Sequence, residues 1–140
     1  MTTVDSASLI ESWAEAWSSP NGLEKLFSLV TDDCIFEDLG TGTFARGKEE
    51  IKSFFESIFH AVPDFKKELT SQFSVGNWAA SEWTMSGTQT GDFPSVPATN
   101  NYAAVRGASV FELQGNKIKR CSEYWDMTTY LKQIGLMPSD

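Results

Sequence analysis

The chain has 140 residues, of which 41% are hydrophobic and 13% aromatic. That is enough to bury the core of one domain, residues 1–140, without metal or disulfide support, and too apolar for a disordered chain. A formal charge of -8 repels nucleic-acid phosphates and anionic membrane surfaces, so neither nucleic acid nor a membrane is an expected partner.

Met1 to Ala16 lacks a basic region followed by an apolar run, and no later stretch approaches the length of a membrane span. Cys34 and Cys121 form no CxxC or Cys/His metal pattern; reduced, buried thiols in a cytoplasmic protein are the expectation.

Ile10, Trp13, Ala14 and Trp17 recur at helical spacing after Asp5 and Ser6, which suit a helix start, and Pro20-Asn21-Gly22 ends the run. Leu23, Leu26, Phe27 and Val30 repeat the pattern, predicting a short second helix. Cys34 to Asp38 reads as a strand, with Cys34, Phe36 and Asp38 on one face, followed by the turn Gly40-Thr41-Gly42. From Gly47 to Val62 the set Ile51, Phe54, Phe55, Ile58, Phe59 and Val62 forms a helical stripe that Pro63 stops.

Beyond Pro63 the period changes to two: Phe65, Leu69, Phe73 and Val75 are expected on one strand face. Gly76-Asn77 and Gly115-Asn116 suit tight hairpin turns joining long strands, Trp78 through Thr90 and then Tyr102 through Leu113 with Lys117 through Trp125. The intervening Gly91-Asp92-Phe93-Pro94-Ser95-Val96-Pro97 reads as a loop at a pocket rim. The order gives an α+β fold. Three N-terminal helices and a short C-terminal helix cover a strongly curved, mostly antiparallel sheet, a cone with an apolar cavity for a small ligand.

Gly47 through Asp64, with Phe54, Phe55 and Ala61-Val62-Pro63-Asp64, resembles the SnoaL-like polyketide cyclases of the nuclear transport factor 2-like superfamily. Trp83-Thr84 with Gly87 through Phe93, and Gly115 through Ile118 with Tyr124-Trp125-Asp126 and Leu131 through Gly135, extend the likeness over nearly the whole chain. The resemblance implies a cofactor-independent cyclase or isomerase acting on a small hydrophobic carbonyl compound, with Asp126 as general acid/base. Gln89 stands where the family often has histidine, and Glu82 where arginine is frequent.

A second resemblance, to ketosteroid isomerases, rests on Asp32-Asp33 through Phe36-Glu37-Asp38 and implies Asp38 as a base. A binding or association domain of the same fold is the alternative. An epoxide hydrolase-like enzyme, from Tyr124-Trp125-Asp126, is a third.

Each candidate has a structural counterpart. Asp126 precedes a helix and suits an N-cap; Asp38 precedes Leu39-Gly40 and suits a turn. Glu82, a candidate second pocket acid, also suits a solvent-facing strand position, and Arg106, a candidate to pair with a carboxylate or polarise a substrate carbonyl, also suits a salt bridge. Trp83 and Trp125 are the expected cavity walls, with Tyr124, Gln89, Phe55 and Phe59 as further lining. His60 fits a helix C-terminus better than catalysis. Open sheets of this kind associate through the uncovered face, so a homodimer is expected.

Overall fold

The computed structural model describes residues 6–138. Four helices and six strands follow in order: α1 (Ser6–Trp17), α2 (Gly22–Ser28), β1 (Val30–Asp38), β2 (Thr43–Arg46), α3 (Gly47–Ala61), β3 (Lys66–Val75), β4 (Trp78–Thr88), β5 (Tyr102–Gln114), β6 (Lys117–Trp125) and α4 (Met127–Gln133). Asp5, expected at the start of the first helix, lies outside the described residues.

The strands form one curved, unclosed sheet in the order β2-β1-β6-β5-β4-β3. Every pairing is antiparallel except β1 with β6. The α+β cone expected from the element order is what the chain adopts. Val75 pairs with Trp78 and Gln114 with Lys117, leaving two-residue loops. Gly76 and Gly115 hold φ of 56° and 62° there, the left-handed backbone that primed hairpin turns demand.

The aromatic stripes of the helices meet the concave face. Trp13, Trp17, Phe36, Phe55 and Phe111 are buried together, with Leu26, Ile51 and Ile118 beside them. Trp17 lies 4.7 Å from Phe55 and Phe36 4.8 Å from Phe55, both in edge-to-face geometry, the arrangement that ring quadrupoles favour.

Two sequence expectations are corrected and one strand is added. The second helix stops at Ser28, and Val30 begins β1 rather than ending a helix. Thr43–Arg46, unassigned from the sequence, forms the edge strand β2. Phe73 and Val75 do not share the buried face of Leu69; they are 70% and 77% exposed. A register shift between Leu69 and Ser71 inserts an extra residue, and a bulge reverses which alternate side chains face inward.

Candidate active site

The sheet's concavity closes over a cavity of about 320 Å³, within the usual range for a small-ligand site. Phe54, Ser57 and Ile58 of α3 form one wall; Met85, Ala103 and Val105 form another. Trp125, Met127 and Tyr130 line it near α4, and Phe93 to Val96 at the loop. The only carboxyls among the described lining residues are Asp38 and Glu123.

These two acids meet because β1 pairs in parallel with β6, which sets Asp38 opposite Glu123 in register. Asp38 is 5% and Glu123 4% exposed. Asp38 Oδ1 accepts from Trp125 Nε1 at 2.9 Å and from Thr41 N–H at 3.0 Å. Both bonds fall on one oxygen, and Oδ2 receives no hydrogen bond among the described residues. Burial, reinforced by the neighbouring Glu123 charge, raises the Asp38 pKa above the ordinary carboxylate value; the Thr41 and Trp125 donors and Lys67 oppose the rise.

Glu123 is differently placed. Its Oε2 accepts from Lys67 Nζ at 2.8 Å and from Ser109 Oγ at 3.1 Å, and Ser109 Oγ in turn accepts from Trp83 Nε1 at 2.8 Å. The Lys67 ammonium also lies 4.7 Å from the ring of Trp17 and 4.2 Å from that of Trp83, close enough for cation-π attraction. A buried lysine is thus balanced by one carboxylate and two indole faces. Neither Lys67 nor Glu123 was singled out in the sequence. The available signal was a charge interrupting a buried alternation, in Phe65-x-Lys67-x-Leu69 and in Cys121-x-Glu123-x-Trp125.

Of the residues expected at the site, Asp38 and Trp125 line the cavity. Asp126 does not: it is exposed and caps α4, accepting from Thr128 N–H at 3.0 Å and Thr129 Oγ1 at 2.7 Å. These bonds, that from Thr129 first, hold its carboxyl below the ordinary range. The physical reason is a register irregularity at Glu112/Leu113 opposite Ile118 and Arg120. It breaks the alternation that places Asp126 on the face of buried Ile118, and Cys121 and Glu123 turn inward instead.

The other candidates also lie elsewhere. Tyr124, Arg106 and Glu82 are exposed, and Glu82 Oε1 accepts from Ser71 Oγ at 2.8 Å. Phe55 is sealed in the core and Phe59 packs 5.5 Å from Trp17. Trp83 backs the Lys67–Glu123 pair rather than lining the cavity. Gln89 is buried and serves the loop: its Nε2 donates to the carbonyls of Val96 (3.3 Å) and Pro97 (3.1 Å), while Oε1 accepts from Thr99 Oγ1 (3.3 Å). That staple positions Phe93, 6.4 Å from the Tyr130 ring, at the cavity.

A curved, unclosed sheet enclosing an acid-bearing apolar cavity is the architecture of the nuclear transport factor 2-like cone. Residues 7–134 match the family model of the SnoaL-like polyketide cyclases, and the chain belongs to that family. Among solved structures it is similar to a protein of ketosteroid isomerase-like fold from Catenulispora acidiphila, in complex with trimethylamine. That protein shares 22% identity over 92% of this chain and 93% of its own, with TM-score 0.80. A proposed SnoaL-like polyketide cyclase from Jannaschia sp. CCS1 shares 16% identity over 95% and 92%, with TM-score 0.83. IdmH of Streptomyces antibioticus, a proposed polyketide cyclase, shares 23% over 92% and 97%, with TM-score 0.78. No curated protein sequence matches the chain.

Proposed function

We propose that the chain is a cofactor-independent cyclase or isomerase that moves a proton at an enolisable carbon of a small hydrophobic carbonyl compound, with Asp38 as the proton carrier. The observation that carries this reading is the Asp38 carboxyl. It lies at the wall of an apolar cavity, is oriented through Oδ1 by Trp125 and Thr41, has Oδ2 uncommitted, and is raised above the ordinary range. A base whose pKa is moved toward the working pH transfers protons most effectively. The apolar walls hold the hydrocarbon part of the substrate, and the Trp125 N–H fixes the carboxyl's orientation. Asp126, held low by its capping bonds at the surface, has no such advantage.

The test is solvent-deuterium exchange at the α-carbon of 2-tetralone, followed by NMR. Asp38→Asn is expected to slow protein-catalysed exchange by about 100- to 10,000-fold, and Asp126→Asn to leave it unchanged. Equal rates for wild type and Asp38→Asn would remove Asp38 from proton transfer.

A second reading, a small-ligand-binding domain without catalysis, is favoured by the trimethylamine complex of the Catenulispora protein. In that case wild type binds small ligands but accelerates no exchange. The buried, unpaired thiols of Cys34 and Cys121 suit a reducing cytoplasm. The helix-free sheet face, which exposes Phe44, Phe73, Trp78 and Tyr124, suits a second copy of the chain.

A further inference from the structure

Beyond its two carboxyls, the cavity is distinguished by its walls and by what it lacks. Trp17, Phe54, Phe65, Phe93, Trp125 and Tyr130 turn aromatic surface toward it, and among the described lining residues there is no Lys, Arg or His. Buried charges require partners, because an uncompensated ion in a low-dielectric site is strongly unfavourable. Two buried carboxyls share one buried cation, Lys67, whose hydrogen bond goes to Glu123. Asp38 keeps Oδ2 without a hydrogen bond, beside the indole of Trp125. Lys67 also shows what this environment accepts: an alkylammonium against the faces of two indoles with a carboxylate at 2.8 Å.

We infer that the cavity takes a ligand bearing a tertiary or quaternary alkylammonium group, which seats against its aromatic walls and pairs with Asp38. The inference rests on the reading of this cavity as the substrate site and narrows the substrate to carbonyl compounds that also bear an alkylammonium group. Aromatic faces attract such cations through the ring quadrupole, most strongly when water is excluded. A neutral carbon group of the same shape gains only the apolar contact.

The ligand's charge also acts on the carboxyl. In the free protein, burial and the Glu123 charge from β6 favour the protonated form of Asp38; the Trp125 and Thr41 donors and Lys67 from β3 favour the ionised form. Tyr130, from α4, is the other titratable lining residue, and its phenol is pushed up to about 12 by burial, so it stays neutral. A bound ammonium adds a positive charge beside Asp38 and favours its ionised form. Cation affinity therefore increases with pH through the Asp38 titration, and affinity for a neutral isostere does not.

The experiment titrates the intact protein with choline and, separately, with its uncharged carbon isostere 3,3-dimethylbutan-1-ol. It is read from the tryptophan indole N–H signals by NMR at a series of pH values from the acidic limit of the folded protein upward, so that the Asp38 titration is followed in the same spectra. Choline is expected to bind about tenfold or more tightly than the alcohol at the basic end, a ratio of the size cation-π attraction gives in a desolvated site. The preference should shrink toward acid and be absent in Asp38→Asn.

Equal affinity for the two probes, tighter binding of the alcohol, no binding of choline, or a preference that survives in Asp38→Asn overturns the inference. If that variant does not fold, the pH dependence of the wild-type preference decides. The result is separable from that of the exchange assay. Loss of the cation preference with Asp38-dependent exchange intact leaves a proton-transfer enzyme for neutral substrates. A cation preference without exchange leaves an ammonium-binding cavity.

Discussion

Asp38 and Glu123 stand in register on neighbouring parallel strands, but Lys67 Nζ hydrogen-bonds Glu123 at 2.8 Å and no cation hydrogen-bonds Asp38 among the described residues. One acid is thereby held in a buried ion pair, and the other faces the cavity without a cation hydrogen-bonded to it.

The Lys67–Glu123 pair is expected to behave as a buried ion pair. Lys67→Met leaves Glu123 buried without its counter-ion and should cost about 3–5 kcal/mol. Lys67→Met with Glu123→Gln should recover most of that loss, because no charge is then stranded. Chemical denaturation of the two variants checks this, and a double variant no more stable than Lys67→Met would remove the coupling.

Stability should carry the signature of Asp38. Its folded-state pKa lies above its unfolded value, so the stability linked to this proton is fully present below the unfolded pKa of about 3.9 and is lost as pH rises through the folded one. Asp38→Asn lacks this loss. The stability of the variant minus that of wild type should therefore increase with pH over that window and then level off, as measured by urea denaturation at a series of pH values. A difference that falls with pH would contradict the raised pKa.

Asp126→Ala should act on α4 alone. The side chain gives up two capping bonds, so thermal stability falls while deuterium exchange is unchanged. The stabilisation it provides is present above its unfolded pKa and lost as pH falls through the depressed folded value. A loss of exchange activity with α4 intact would instead implicate Asp126 in the chemistry.

Gly40→Ala probes the orientation of Asp38. A Cβ at this position would fall inside the Trp125 indole, so the ring must move and its N–H leaves Asp38 Oδ1. Overpacking of this kind costs typically about 1–3 kcal/mol. A shifted Trp125 indole N–H signal and slower exchange are the expected readouts.

Gln89→Ala should loosen the loop that carries Phe93 and Val96. Backbone carbonyls lose their buried donor, an effect of about 1–3 kcal/mol. Faster amide hydrogen exchange at Phe93 and Val96, whose backbones bond each other, checks it.

Local periodicity was sufficient for the stripe of α3 and for both glycine-led hairpins, because neighbours in the chain dictate those elements whatever lies around them. The family likeness, spread over nearly the whole chain, was equally legible. What the sequence could not supply was the inward face of each strand beyond a bulge. The irregularities in β3 and at β5–β6 expose Phe73 and Val75 and remove Asp126 from the cavity, while Glu123 faces inward. The parallel contact of β1 with β6 joins Asp38 to Glu123, 85 positions apart in sequence, and β3 then brings Lys67 beneath them. Composition and pattern thus determined the class of fold and the expectation of an apolar cavity. Only the tertiary structure decided which acids face it, because one extra residue in a strand reverses every side chain after it and a non-local strand pairing leaves no trace in local spacing.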